Sequence, residues 1–199
     1  MKFFIFGMLD TLFLFLVLFF YLHRVGVKPR HEATAPNPLY QEWLEKTAEL
    51  AASPVAGSAE ETAWIAKVQN AFTPFTPEGA AANFPLAYAE DFYFRDAFHT
   101  YTDRQEMTDY MVKSAEMSPG VTFEFSPVVR QGIDFYLPWV MVLPGKDGAA
   151  PQRSLGMSHL RFNEQGQVIF HQDYWDSADV LVPRVPVANG MIELVRRRF

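Results

Sequence analysis

Close to the carboxyl end of this 199-residue chain lies V-I-F-H-Q-D-Y-W-D, residues 168–176. Its last six residues hold one histidine, two aspartates and two aromatics. In a strand alternate side chains share a face, so His171, Asp173 and Trp175 point one way and Gln172, Tyr174 and Asp176 the other. A carboxylate set among rings is pushed toward its neutral form by desolvation, and a neighbouring imidazole pulls it back. Such a pair flanking an apolar cavity suits proton abstraction and return, or the steering of a water onto an electrophile. The same residues read equally well as a polar seam, bonded to each other or to strand ends. As a metal pair joined by His99 they lack a third ligand at convincing spacing, so no metal and no cofactor is expected.

The elements that position these residues follow from pattern. Leu39, Trp43, Leu44 and Leu50 are spaced as one helical stripe. Ser58 with Glu61 forms a capping box opening a helix to Phe72, and Thr76-Pro77-Glu78 starts another that runs to about Ala87. Thr102 or Asp103 caps a third through Met107, Tyr110, Met111 and Ala115. Strands are expected at residues 92–94, 121–130, 133–143, 155–162 and 168–175, the last two joined by a hairpin at Asn163-Glu164-Gln165-Gly166. Helices followed by a meander describe an α+β fold with helices on one face of a curved antiparallel sheet.

Composition narrows the function classes. With 49% hydrophobic residues and 20% charged, the chain is globular, and with no cysteine it has neither disulfides nor thiolate metal sites. Residues 32–199 hold 13 basic and 22 acidic side chains, which excludes an electrostatic footprint for nucleic acid. Residues 3–22, FFIFGMLDTLFLFLVLFFYL, are long enough for a single transmembrane helix, an uncleaved anchor with Asp10 inside it. Lys2 and the amino terminus on one side against Arg24, Lys28 and Arg30 on the other favour a cytoplasmic body by one charge. The expected organisation is an anchor at 1–25, a linker and accessory helix at 26–57, a globular domain at 58–182 and an extension at 183–199. A short amphipathic helix is expected in that extension, around Met191–Val195 beside Arg196–Arg198.

YAEDFYFRDAF at 88–98, YLPWVMVL at 136–143 and SHLRFNEQGQVIFHQDYW at 158–175 resemble the NTF2-like superfamily, and within it ketosteroid isomerases and SnoaL-like polyketide cyclases. The resemblance spans about residues 58–180. It implies a cone-shaped α+β fold, a curved sheet wrapped around about three helices and a deep pocket, often paired into a homodimer through the sheet's open face. By it the isomerase general base lands on Asp96, which also reads as the cap of the turn before Ala97-Phe98-His99. The two oxyanion donors land on Ser158 and Phe72, a weaker hydroxyl and a phenyl ring, and losing one such donor typically costs ~10²–10³ in rate. Steroid isomerisation is therefore not expected. The resemblance implies that Asp96, His171 and Asp173 face the pocket as catalytic candidates, with Phe72, Trp139, Ser158 and Trp175 as its ligand-binding wall. His99 and His159 are expected at the surface.

Two functions remain open at this point. One is a membrane-anchored domain whose hydrophobic pocket takes a small apolar molecule, with acid–base isomerase, cyclase or hydrolase chemistry. The other is a non-catalytic module that dimerises or docks a partner through its open sheet face. A roomy cavity holding the polar residues favours the first.

Overall fold

The computed structural model describes residues 21, 38–145, 148–177, 190, 194 and 196–198. The anchor expected over 3–22, the linker after it and the C-terminal helix lie outside the described residues, apart from single positions. No helix among the described residues is long and apolar enough to cross a membrane. Residues from Leu39 onward form one compact unit.

Four helices lead into and interrupt the sheet: α1 (Pro38–Leu50), α2 (Ala59–Ala71), α3 (Pro77–Ala87) and α4 (Arg104–Met117). Their starts follow the expected caps. Ser58 accepts the Glu61 N–H at 3.1 Å while Glu61 reaches back to the Gly57 N–H at 2.6 Å, Thr76 caps α3, and Asp103 accepts the Glu106 N–H at 2.9 Å.

The strands are β1 (Tyr88–Arg95), β2 (Thr100–Tyr101), β3 (Thr122–Phe125), β4 (Val129–Gln131), β5 (Asp134–Leu143), β6 (Gln152–Phe162) and β7 (Val168–Trp175). They form one sheet in the order β2-β1-β7-β6-β5-β3, with β4 also on β5. The strand expected at 121–130 is broken in two at Ser126-Pro127. There the Ser126 N–H bonds to the Pro138 carbonyl at 2.9 Å. Both main-chain groups of a residue in an antiparallel strand point to the same side, so the missing N–H of Pro138 faces this break and leaves the ladder to β6 intact.

The sheet is mixed, not antiparallel throughout as expected. β1 runs parallel to β7, with Phe94 opposite His171 and Tyr93 opposite Phe170. A parallel pair needs a long crossover, here everything from β2 to β6, and such a closure leaves no local pattern in the sequence. It matters for the site because it lays β1 against the strand that carries His171 and Asp173.

The helical side of the sheet holds the main core, where Val68, Phe84, Tyr88, Phe92, Phe94, Met107, Phe135, Leu160 and Phe162 pack together. On the opposite side α1 lies over β1 and β7, burying Trp43 against Tyr93 and Phe170. The face expected to be open is thus covered there. His159 is a second correction: although it alternates outward, it is buried rather than at the surface. It sits between the rings of Tyr136 and Phe170, bonded to Asp134 at 2.7 Å. Arg161 binds the same carboxylate at 2.6 Å and reaches the Leu44 carbonyl and the Thr47 hydroxyl of α1. Burial raises the Asp134 carboxyl, but the bonds from Arg161 and His159 outweigh it and hold the group below the usual carboxylate range.

Candidate functional site

Between α4 and the concave sheet face is an open cavity of about 940 Å³. Its wall is aromatic: Phe72 and Phe75 after α2, Phe94 of β1, Phe123 and Phe125 of β3, Trp139 of β5 and Trp175 of β7. Of the residues singled out from sequence, Asp96, Asp173, Phe72, Trp139, Ser158 and Trp175 all line it. His171 shares the inward face but lies behind the wall, fully buried. The parallel pairing explains this, since it sets the Phe94 ring 4.9 Å from the imidazole, with Tyr88 stacked at 5.9 Å and Phe72 at 6.4 Å.

Register brings the polar groups together. Ser158 stands opposite both Leu137 of β5 and Asp173 of β7, and Gly156 stands between Trp139 and Trp175. Because Gly156 has no side chain, the Trp139 ring lies across β6; a Cβ there would fall 2.2–2.5 Å from three of its ring atoms. From that position Trp139 Nε1–H donates to Ser158 Oγ at 3.0 Å, and Ser158 donates to Asp173 Oδ1 at 2.5 Å. His171 Nε2 meets the same Oδ1 at 2.7 Å, and its Nδ1 lies 2.6 Å from the Tyr88 hydroxyl.

Proton placement follows from what each group has to offer. A carboxylate oxygen accepts, so the imidazole presents Nε2–H to Asp173, and in the neutral ring Nδ1 then accepts the Tyr88 O–H. Burial, reinforced by the Asp173 charge, pushes the Tyr88 phenol well above its usual range, so it stays a donor. The chain of bonds from Trp139 and from Tyr88 thus converges on Oδ1. Asp173 Oδ2 bonds to no described residue. It is not sealed in either, because no buried side-chain nitrogen or oxygen among the described residues lacks a partner. Asp173 itself lines the cavity.

Asp96 has the opposite character. Its Oδ1 accepts the Phe98 and His99 N–H groups, both at 2.7 Å, and its Oδ2 accepts the Tyr110 O–H at 2.5 Å. It is at once a lining residue and the cap of the 96–99 turn, with both oxygens engaged. Burial and the bond to Asp96 raise the Tyr110 phenol far above its usual range, so this bond also persists as O–H donating to carboxylate. The turn holds Phe98 edge-on to Trp175 at 5.8 Å, on the cavity's rim. His99 is exposed, as expected. Among the described residues no three histidine or acidic side chains converge to hold a metal ion.

Sequence reasoning misses two members of this arrangement. Tyr88 carries no local signal of its place behind His171, whereas Gly156 does carry one, because a glycine inside a strand marks a close approach.

No protein-family profile and no curated protein matches the chain. Solved structures do. A protein with a ketosteroid isomerase-like fold from Catenulispora acidiphila, in complex with trimethylamine, has TM-score 0.50 at 18% identity, over 65% of this chain and 92% of that one. A SnoaL-like family protein from Agrobacterium tumefaciens has TM-score 0.50 at 15% identity, over 60% of this chain and 100% of its own. A protein assigned as a polyketide cyclase from Acidithiobacillus ferrooxidans has TM-score 0.51 at 13% identity, over 67% and 99%. At such identities the likeness shows the fold alone. This chain has the α+β architecture of NTF2-like, SnoaL-like and ketosteroid isomerase-like proteins, and a fold of that kind hosts many functions.

Proposed function

We propose that this protein binds a small, largely apolar molecule in the cone cavity and performs acid–base chemistry on it, with Asp173 as general base. The observation that carries the reading is the asymmetry of one carboxylate that lines an aromatic cavity: Oδ1 is held by Ser158 and His171, and Oδ2 has no partner among the described residues. Two anchored donors fix its orientation, and orientation toward the reacting atom is a large part of what a catalytic base contributes. Asp96, with both oxygens engaged, shapes the rim, and His171 orients Asp173 from behind the wall. Isomerisation, cyclisation and hydrolysis all remain within reach of such a base. A membrane anchor over residues 3–22, where the sequence is apolar, belongs to the proposal as well.

The test uses hydrogen exchange, which registers proton removal from carbon whatever product follows. The full chain is incubated in D₂O with apolar carbonyl compounds and iminium salts, and deuterium uptake at carbon is read by mass spectrometry. At least one compound should exchange with the wild type. D173N should abolish that exchange, and D96N should largely retain it. Exchange at the wild-type rate in D173N, or none with any compound, refutes the assignment.

A further inference from the structure

Around Asp173 the side-chain donors of the described residues are already committed. Four side-chain donors stand there, and each is committed: Trp139 to Ser158, Ser158 and His171 to Asp173, and Tyr88 to His171. What the wall still offers an incoming molecule is an acceptor, Asp173 Oδ2, beside the rings of Trp139 and Trp175, whose centroids lie 6.4 Å apart. The rest of the lining has the same sign. Among the described residues that line the cavity, Asp96, Glu106 and Asp109 join Asp173 against one lysine, Lys113, and no arginine.

Such a wall discriminates by charge. A carboxylate, phosphate or oxyanion beside Asp173 would meet a like charge and donors that are already committed, an unfavourable pairing. A positive centre would meet an opposite charge and the negative faces of indole rings, which attract cations within about 6 Å of the ring centroid. Proton removal follows the same logic. Taken from carbon beside a carbonyl, the proton leaves negative charge on an oxygen, in a cavity whose described lining carries four acidic side chains against one lysine. Taken from carbon beside an iminium, the C–H pair becomes the new C=C bond, the C=N pair moves onto nitrogen, and the proton joins Asp173 Oδ2. Both partners end neutral.

Resting on the reading of Asp173 as the working carboxylate, we infer that the molecule this cavity takes is a cationic nitrogen compound on an apolar frame, an iminium or protonated or quaternary amine. Its positive centre seats against Asp173 Oδ2 and the corner formed by Trp139 and Trp175.

Three probes of similar size and different charge test this: benzyltrimethylammonium, its hydrocarbon isostere neopentylbenzene, and benzylsulfonate. Each is titrated into the full chain, with tryptophan fluorescence as the readout. The ammonium should bind about tenfold or more tightly than the hydrocarbon, a difference of about 1.4 kcal/mol, and the sulfonate should not compete. In D173N the ammonium's advantage over the hydrocarbon should vanish, and in D173E, which keeps the charge, it should largely remain. A hydrocarbon that binds as tightly as the ammonium, a sulfonate that competes, or an advantage that survives D173N overturns the inference while leaving an apolar cavity in place. Failure of all three probes to bind overturns the cavity reading and this inference together.

Discussion

Replacing Gly156 with alanine should dismantle the wall of the cavity from the side opposite Asp173. The new Cβ would lie 2.2, 2.3 and 2.5 Å from three Trp139 ring atoms, where ordinary contact is 3.4–4 Å. Something must therefore move by about 1 Å or more, and the strand ladder on both sides of Gly156 leaves the ring as the part that gives way. Overpacking of this kind typically costs about 1–3 kcal/mol. The displaced indole also loses its 3.0 Å bond to Ser158, worth about 1 kcal/mol net. The sum, about 2–4 kcal/mol, should lower the melting temperature by roughly 5–15 °C in a domain of this size. Circular dichroism gives the melting temperature, and tryptophan emission reports the ring's new surroundings. The double mutant W139L/G156A supplies the decisive comparison. If the penalty arises from the clash, adding alanine to a W139L background should cost little, and the two changes will be strongly non-additive. A G156A protein that melts like the wild type with an unchanged emission spectrum refutes the reasoning. So does strict additivity in the double mutant.

Further predictions concern the groups behind the wall and on the opposite side of the sheet. In Y88F the buried His171 Nδ1 loses its only donor while the ring volume is kept, so stability should fall by about 1–3 kcal/mol in urea unfolding; an unchanged midpoint would mean that the bond is idle. Burial holds the His159 imidazole below its ordinary value of 6.5, with the Asp134 carboxylate opposing. Its folded pKa is therefore below its unfolded one, the unfolded chain binds more protons, and this contribution to stability falls as pH drops below 6.5 toward the folded value. Urea midpoints between about pH 7.5 and 5.5 should thus drop more for the wild type than for H159Q; equal slopes would remove His159 from the account.

Local chemistry makes much of this protein legible from sequence. A helix start needs an acceptor for its free N–H groups, so Ser58, Thr76 and Asp103 announce three helices. Period-two alternation puts His171, Asp173 and Trp175 on one face of β7, and the same alternation in β6 holds Ser158 inward. What alternation does not reveal is depth. Whether an inward side chain reaches the cavity or stops behind it depends on the strand laid alongside, and the parallel partner β1 arrives from some eighty positions earlier in the chain with Phe94 over His171. His159 departs from expectation for the same reason in reverse, because outward is exposed only where nothing packs around the side chain, and the rings of Tyr136 and Phe170 flank it there. Asp96 and Asp173 look alike in sequence as acids near aromatics. Tertiary placement separates them, engaging both oxygens of the first and leaving one oxygen of the second without a partner among the described residues. A residue's type and its spacing set which contacts it is able to make, but which of those contacts are satisfied depends on neighbours distant in sequence, and an unsatisfied carboxylate oxygen is what chemistry requires.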